Sequence, residues 1–139
     1  MADGLGTKMT KRSDFDLDLA AGHAGEKLVE ELLTGGNTVE VKRDFKWKET
    51  GNLYIETACW SSRKECWYDS GLSTTKADYW AFVLGESTLL VPASVLVLCV
   101  LKYGEERSCD IPPDRSIGYL ITPQNILDTT RLIGGTNGR

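Results

Sequence analysis

The sequence predicts an α/β fold, a sandwich of helices and strands in one domain. Three observations carry this. The chain has 139 residues, the size of one domain with one core. Apolar residues make up 41% and charged residues 26%, both ordinary for a globular protein. Segments with a helical period alternate along the chain with segments of period two. Residues 14–133 are assigned to the domain. Met1–Ser13, mildly basic through Lys8, Lys11 and Arg12, reads as a flexible tail, and Gly134–Arg139 as a flexible end.

The elements follow in order. Ala20, Ala24, Leu28, Val29, Leu32 and Leu33 recur at helical spacing, and Gly35-Gly36 stops that helix. Thr38–Phe45 alternates as a strand, with Val39, Val41 and Arg43 on one face and Glu40, Lys42 and Asp44 on the other. A polar connection, Lys46–Gly51, leads to a second strand, Asn52–Trp60, and the two strands are expected to form a hairpin. In the second strand Tyr54, Glu56 and Ala58 share one face, and Leu53, Ile55 and Thr57 the other. A polar, aromatic-rich stretch, Ser61–Thr75, follows. Strands are then expected over Asp78–Leu84 and Thr88–Val91, and a helix begun by Pro92-Ala93-Ser94 and running to about Tyr103. Glu105–Ser116 reads as a charged loop. A last strand, Gly118–Thr122, precedes a helix opened by Pro123 and running to about Leu132.

Charge and composition narrow the function classes. The net charge is −4 and the pI about 5.0, which counts against a protein that simply coats nucleic acid. A nuclease is less affected by this argument, because its metal site needs carboxylates and brings its own positive charge. No run reaches the roughly 20 apolar residues of a membrane span, and the N-terminus has no apolar core of a secretory signal, so a cytoplasmic location is expected. Cys59, Cys66, Cys99 and Cys109 lack zinc-site spacing: the nearest pair, Cys59 and Cys66, has six residues between its members. They read as reduced thiols. No organic cofactor is expected.

Three acids and a lysine carry the chemistry. Asp44 lies at the end of the first strand and Glu56 inside an apolar strand, Leu53-Tyr54-Ile55-Glu56-Thr57-Ala58, where a lone carboxylate is costly to bury without a cation or a proton. Two carboxylates can share a hard ion such as Mg²⁺, which keeps several waters. Glu26 lies on the first helix after Gly22-His23-Ala24-Gly25, small residues that permit close approach to a sheet. Lys42, two residues before Asp44, points to the same strand face. An ammonium there can orient water or stabilise charge on a phosphate.

The segments Gly25-Glu26, Val39-Glu40-Val41-Lys42-Arg43-Asp44, Gly51-Asn52-Leu53-Tyr54-Ile55-Glu56 and Ser70-Gly71-Leu72-Ser73-Thr74-Thr75-Lys76-Ala77-Asp78-Tyr79-Trp80 together resemble the PD-(D/E)XK nuclease superfamily. The likeness is to small Holliday-junction-resolvase-like and phage-encoded endonucleases, and it covers about residues 14–132. It implies a single-domain restriction-endonuclease-like fold with a mixed central sheet flanked by helices, Asp44 and Glu56 as ligands of Mg²⁺ or Mn²⁺, and Glu26 binding the metal or a water on it. The family's usual lysine, two positions after the glutamate, is replaced here by Ala58. Three readings stay open. Lys42 substitutes from the neighbouring strand; or Glu40-Val41-Lys42 is itself the acid–lysine element, with Asp14, Asp16 or Asp18 upstream; or the lysine is lost and the chain binds without cleaving.

Lys46, Trp47 and Lys48, then Arg63 and Lys64 near Trp67 and Tyr68, and finally Lys76 are candidates for DNA contact. The bases would meet phosphates, and the aromatics would stack on unpaired bases or pack over the sheet. The expectation is a metal-dependent DNA endonuclease, acting on branched or damaged DNA, and homodimeric if its substrate is a junction. The alternatives are a silent nucleic-acid-binding relative and a phage protein-interaction module.

Overall fold

A computed structural model describes residues 22–23, 25–27, 29–44, 46–111 and 114–135. The expected N-terminal tail, its basic residues, Asp14, Asp16, Asp18 and the start of the first helix lie outside the described residues, as do residues 136–139. The chain divides into two units, Met1–Asn37 and Thr38–Arg139.

In the first unit, the described residues from 22 to 34 are helical (α1). The helix ends at the Gly35-Gly36 pair as the sequence predicts: the Gly35 amide closes on the Glu31 carbonyl at 2.7 Å, and the Asn37 side chain donates to the same oxygen. His23 and Glu26 are exposed on α1.

The second unit is mixed α/β with two sheets. The first runs β1 (Val39–Arg43), β4 (Tyr79–Leu84), β5 (Ser87–Pro92), with β1 parallel and β5 antiparallel to β4. The second runs β3 (Cys66–Asp69), β2 (Leu53–Ser61), β7 (Ser116–Ile121), β6 (Glu105–Cys109), all antiparallel. Three helices complete the unit: α2 (Trp47–Thr50), α3 (Ala93–Tyr103) and α4 (Pro123–Gly135). The core is formed by Leu53, Ile55, Trp80, Phe82, Val91, Leu96, Cys99, Ile121 and Ile126. No helix among the described residues is long and apolar enough to cross a membrane.

The hairpin expected between the first two strands does not form. β1 pairs with β4, while β2 pairs with β3 and β7, so the two strands belong to different sheets. Alternation fixes which face a residue takes, not which strand lies beside it. β4 reads Tyr-Trp-Ala-Phe-Val-Leu, a continuous apolar run of the kind that sits centrally with neighbours on both sides. The connection read as polar loop contains α2, the stretch Ser61–Thr75 contains β3 and a 3-10 turn at Gly71–Ser73, and the charged loop contains β6. The last helix starts as read. Thr122 Oγ1 accepts the Asn125 amide at 3.0 Å, Asn125 Oδ1 accepts the Thr122 amide at 2.9 Å, and Pro123 occupies the first turn.

The parallel pair is clamped where it begins. Asp78 Oδ2 accepts the Thr38 amide and hydroxyl, and the Asp78 amide returns to Thr38. The segment before β4 is therefore a connector, with Asp78 setting the register of β1 on β4.

Candidate functional site

β1 presents its polar residues inward. Glu40 and Lys42 are half-buried, opposite Trp80 and Phe82 in register, whereas Val39 and Val41 are exposed. The Lys42 ammonium forms an ion pair with Glu40 Oε2 at 2.9 Å and lies 5.2 Å from the centre of the Trp80 ring. Glu40 Oε1 accepts the Thr75 hydroxyl at 3.1 Å. The Thr75 oxygen in turn accepts the Trp80 indole N–H and the Ala77 amide, each at 3.2 Å.

Just past β1, Asp44 ties three segments together. Its Oδ1 accepts the Lys46 amide at 2.9 Å and its Oδ2 accepts the Tyr54 amide at 3.2 Å. The carboxylate thus fixes the entry to α2 and joins the end of β1 to β2. Two oxygens offer about four lone-pair sites, so each keeps one after these bonds.

Glu56 sits at an irregularity. β2 pairs with β7 as Glu56↔Gly118 and then Ala58↔Ile117, so Thr57 is an extra residue, a β-bulge. Beyond it the alternation is reversed. Cys59 is opposite Ser116 and joins the face of Glu56, while Ala58 is opposite Ile117 and takes the other face. The expected face of Tyr54, Glu56 and Ala58 is thereby corrected to Tyr54, Glu56 and Cys59. Side-chain contacts agree: Cys59 Sγ donates to Glu56 Oε2 at 3.1 Å, and the Tyr54 hydroxyl meets Ser116 Oγ at 2.9 Å. Ser70 donates to the same Glu56 oxygen at 2.8 Å, leaving Oε1 without a partner among the described residues.

Two glycines allow this packing. A Cβ at Gly118 would stand 2.7 Å from the Tyr54 ring, and one at Gly71 would collide with the Glu56 carbonyl oxygen. Gly71 also adopts φ 53°, a conformation costly to other residues. Burial raises the Tyr54 hydroxyl above its ordinary pKa, although the Ser116 bond opposes this. Burial likewise raises the Cys59 thiol, with the Glu56 carboxylate adding to the effect and Ser70 opposing it.

Lys42, Asp44, Lys46, Tyr54, Glu56 and Arg107 line one cavity of about 770 Å³ in the second unit. Four residues singled out in the sequence, Lys42, Asp44, Lys46 and Glu56, therefore share a wall. The other candidates of the second unit lie elsewhere. Trp47 is half-buried and packs against the core, and Lys48 is exposed on α2. Arg63 and Lys64 are exposed in the turn between β2 and β3, and Lys76 is exposed before β4. Glu26 belongs to the first unit. The aromatic stretch packs partly on itself: Trp60 and Trp67 meet edge to face at 5.5 Å, with the Arg115 guanidinium 5.5 and 5.4 Å from their rings. Trp67 and Tyr68 remain exposed.

The reading of the residues did not include Ser70, Cys59 and Arg107 in the site, or the anchoring of Lys42 by Glu40 and Thr75. The bulge alone left a trace in the sequence. The apolar phase of β2 shifts from Leu53 and Ile55 to Ala58 and Trp60, a slip of one residue.

Asp44 and Glu56 suit a hard divalent ion in donor chemistry, since both are carboxylates with spare oxygen lone pairs. Among the described residues no group of three or more His, Cys, Asp or Glu side chains is arranged to hold an ion. Such a pair would suit an ion that takes one or two protein carboxylates and keeps its waters, and not a closed cage. The four cysteines are free thiols, and where burial of most of them is expected, only Cys99 is buried, Cys59 and Cys109 being half-buried and Cys66 exposed. No protein-family model, curated protein or solved structure matches the chain.

Proposed function

We propose that the chain is a Mg²⁺- or Mn²⁺-dependent DNA endonuclease of the PD-(D/E)XK type, with its site on the cavity wall of Lys42, Asp44 and Glu56. The observation that carries the reading is that two acidic residues and one ion-paired lysine line a single cavity. Asp44 and Glu56 would hold the ion. The ion would supply Lewis-acid stabilisation of the phosphodiester and a water of lowered pKa.

The chain's own groups then have distinct tasks. Lys42 presents an ammonium to the phosphoryl oxygens, where charge develops during attack. Lys46 and Arg107 line the same cavity and meet flanking phosphates. Arg63, Lys64, Lys48 and Lys76 contribute longer-range attraction that weakens with salt. With Ala58 turned away from Glu56 by the bulge, a lysine at position 58 would not reach this cavity face, which favours Lys42 as the site's cation.

A second reading, a relative that binds nucleic acid without cutting, is favoured by one observation. Both Asp44 oxygens and one Glu56 oxygen already accept protein hydrogen bonds. The test is cleavage of single-stranded, duplex, nicked and four-way-junction DNA with Mg²⁺, Mn²⁺ or EDTA. The wild type is expected to cut at least one substrate only with metal, and Asp44→Asn and Glu56→Gln to lose at least about a hundredfold. Binding of these DNAs without cleavage by the wild type would select the second reading, and neither binding nor cleavage would remove both.

A further inference from the structure

A strand lysine is ordinarily a mobile surface charge, since its four-carbon stem retains about 2 kcal/mol of rotamer freedom and its ammonium prefers water. Lys42 departs from this. Its side chain is 40% exposed, its ammonium is 2.9 Å from Glu40 Oε2, and its charge lies over the Trp80 ring. Glu40 is in turn held from the other side, where Oε1 accepts the Thr75 hydroxyl. Thr75 can donate to Glu40 because its own lone pairs are occupied by the Trp80 indole N–H and the Ala77 amide. That assignment fixes the direction of the hydroxyl proton. Trp80 is 1% exposed and belongs to the core. The contacts therefore run without interruption from a core side chain, through Thr75 and Glu40, to the ammonium at the cavity wall.

We propose that Glu40 is a positioning residue that fixes Lys42 at the cavity, and that Thr75 and Trp80 root it in the core. This rests on the nuclease reading only for its consequence in catalysis; the anchoring itself does not. An ammonium has three donors, so one spent on Glu40 leaves two to face the cavity. Holding it there before substrate arrives removes the ordering cost from the reaction, the advantage of a pre-positioned group. It also gives Glu40 a role other than metal ligand: its two oxygens serve Thr75 and Lys42.

The experiment has a structural arm and a kinetic arm. Side-chain ¹³C relaxation of the lysine ε-carbons is measured on the full chain, comparing Lys42 with exposed Lys48 and Lys76 as internal references. Lys42 is expected to be the most ordered of the three. Its order should fall to the reference level in Glu40→Gln and Thr75→Val, and stay at the wild-type level in Thr75→Ser, which keeps the hydroxyl. Thr75→Val should also free the Trp80 indole N–H, read as faster hydrogen exchange. Cleavage by Glu40→Gln should fall about ten- to a hundredfold in kcat with KM unchanged, as for a displaced rather than a missing group. Lys42 as mobile as Lys48 in the wild type, or equally ordered in Glu40→Gln, would overturn the proposal. So would a kcat of Glu40→Gln equal to wild type, since anchoring without consequence is not positioning. If the wild type cuts nothing, the nuclease reading fails, and the relaxation arm still decides the anchoring. The threonine pair keeps that arm decisive should Glu40→Gln not fold.

Discussion

β1 and β2 carry the two halves of the candidate site and are built in opposite senses. In β2 the apolar residues face inward, with Leu53 and Ile55 both 0% exposed, and Glu56 rides on the half-open face. In β1 the valines face outward, Val41 being 65% exposed, and Glu40 and Lys42 are turned toward Trp80 and Phe82. The first arrangement is what burial of apolar surface favours. The second inverts it, and the inversion is tolerable only because each inward polar atom is bonded: Lys42 to Glu40, Glu40 to Thr75, Thr75 to the indole of Trp80. Local rules broken in this way tend to lie at functional sites. The two halves therefore fail differently, β2 by losing packing and β1 by losing the geometry of one ammonium.

The largest expected effect separates the two strands directly. Ile55→Ala should cost about 3 kcal/mol or more of stability in urea unfolding, because the site is closed on all sides and leaves a cavity. Val41→Ala should cost about 0.5 kcal/mol or less, the scale of surface changes. Equal costs would mean that Val41 is part of a covered face and that the two strands are built alike. Next in size is Gly71→Ala. The added methyl meets the Glu56 carbonyl and the backbone stays at φ 53°, so about 2 to 3 kcal/mol should be lost. A melting curve matching wild type would mean that the 3-10 turn yields without effect on β2. Ser70→Ala comes third: it leaves Glu56 Oε2 with only the weak thiol donor and should cost about 1 to 2 kcal/mol. Ser70→Thr keeps the hydroxyl and should recover most of it.

The ease of reading followed the distance over which each feature is decided. The α/β class, α3, α4 and most strand positions depend on periodicity and on nearby signals such as Thr122-Pro123 with Asn125, and they were legible. Strand partners were not, because Val39–Arg43 and Leu53–Ser61 carry alternation that specifies a face and leaves the neighbour open. Lys42, Asp44 and Glu56 were legible as candidates, because acids and a lysine interrupt strand-like segments, and all three line one cavity. Their holders were not. Ser70 and Thr75 act across 14 and 35 residues of sequence, and a hydroxyl in a polar stretch has no pattern that marks its partner. The bulge lay between these extremes, visible as a slip in the apolar phase of β2 but readable only once β7 was known to lie beside it.

The smallest effect concerns the core that β2 packs upon and to which β1 contributes no member. That core contains Cys99, fully buried on α3, and burial raises its thiol above the ordinary value of 9.0, with the Thr129 contact opposing. A raised value means that the folded state holds the proton more tightly than the unfolded chain. The resulting stabilisation is complete below pH 9.0 and is lost as pH rises through the folded value, since the thiol must then ionise in an apolar setting or the chain must unfold. The urea midpoint of the wild type should therefore be flat from pH 7 to 8.5 and fall above it, and in Cys99→Ala the alkaline fall should be shallower. An identical slope in wild type and Cys99→Ala would place the alkaline sensitivity in the Tyr54 and Cys59 row beside Glu56, and so on the half-open face of β2 instead of its packed one.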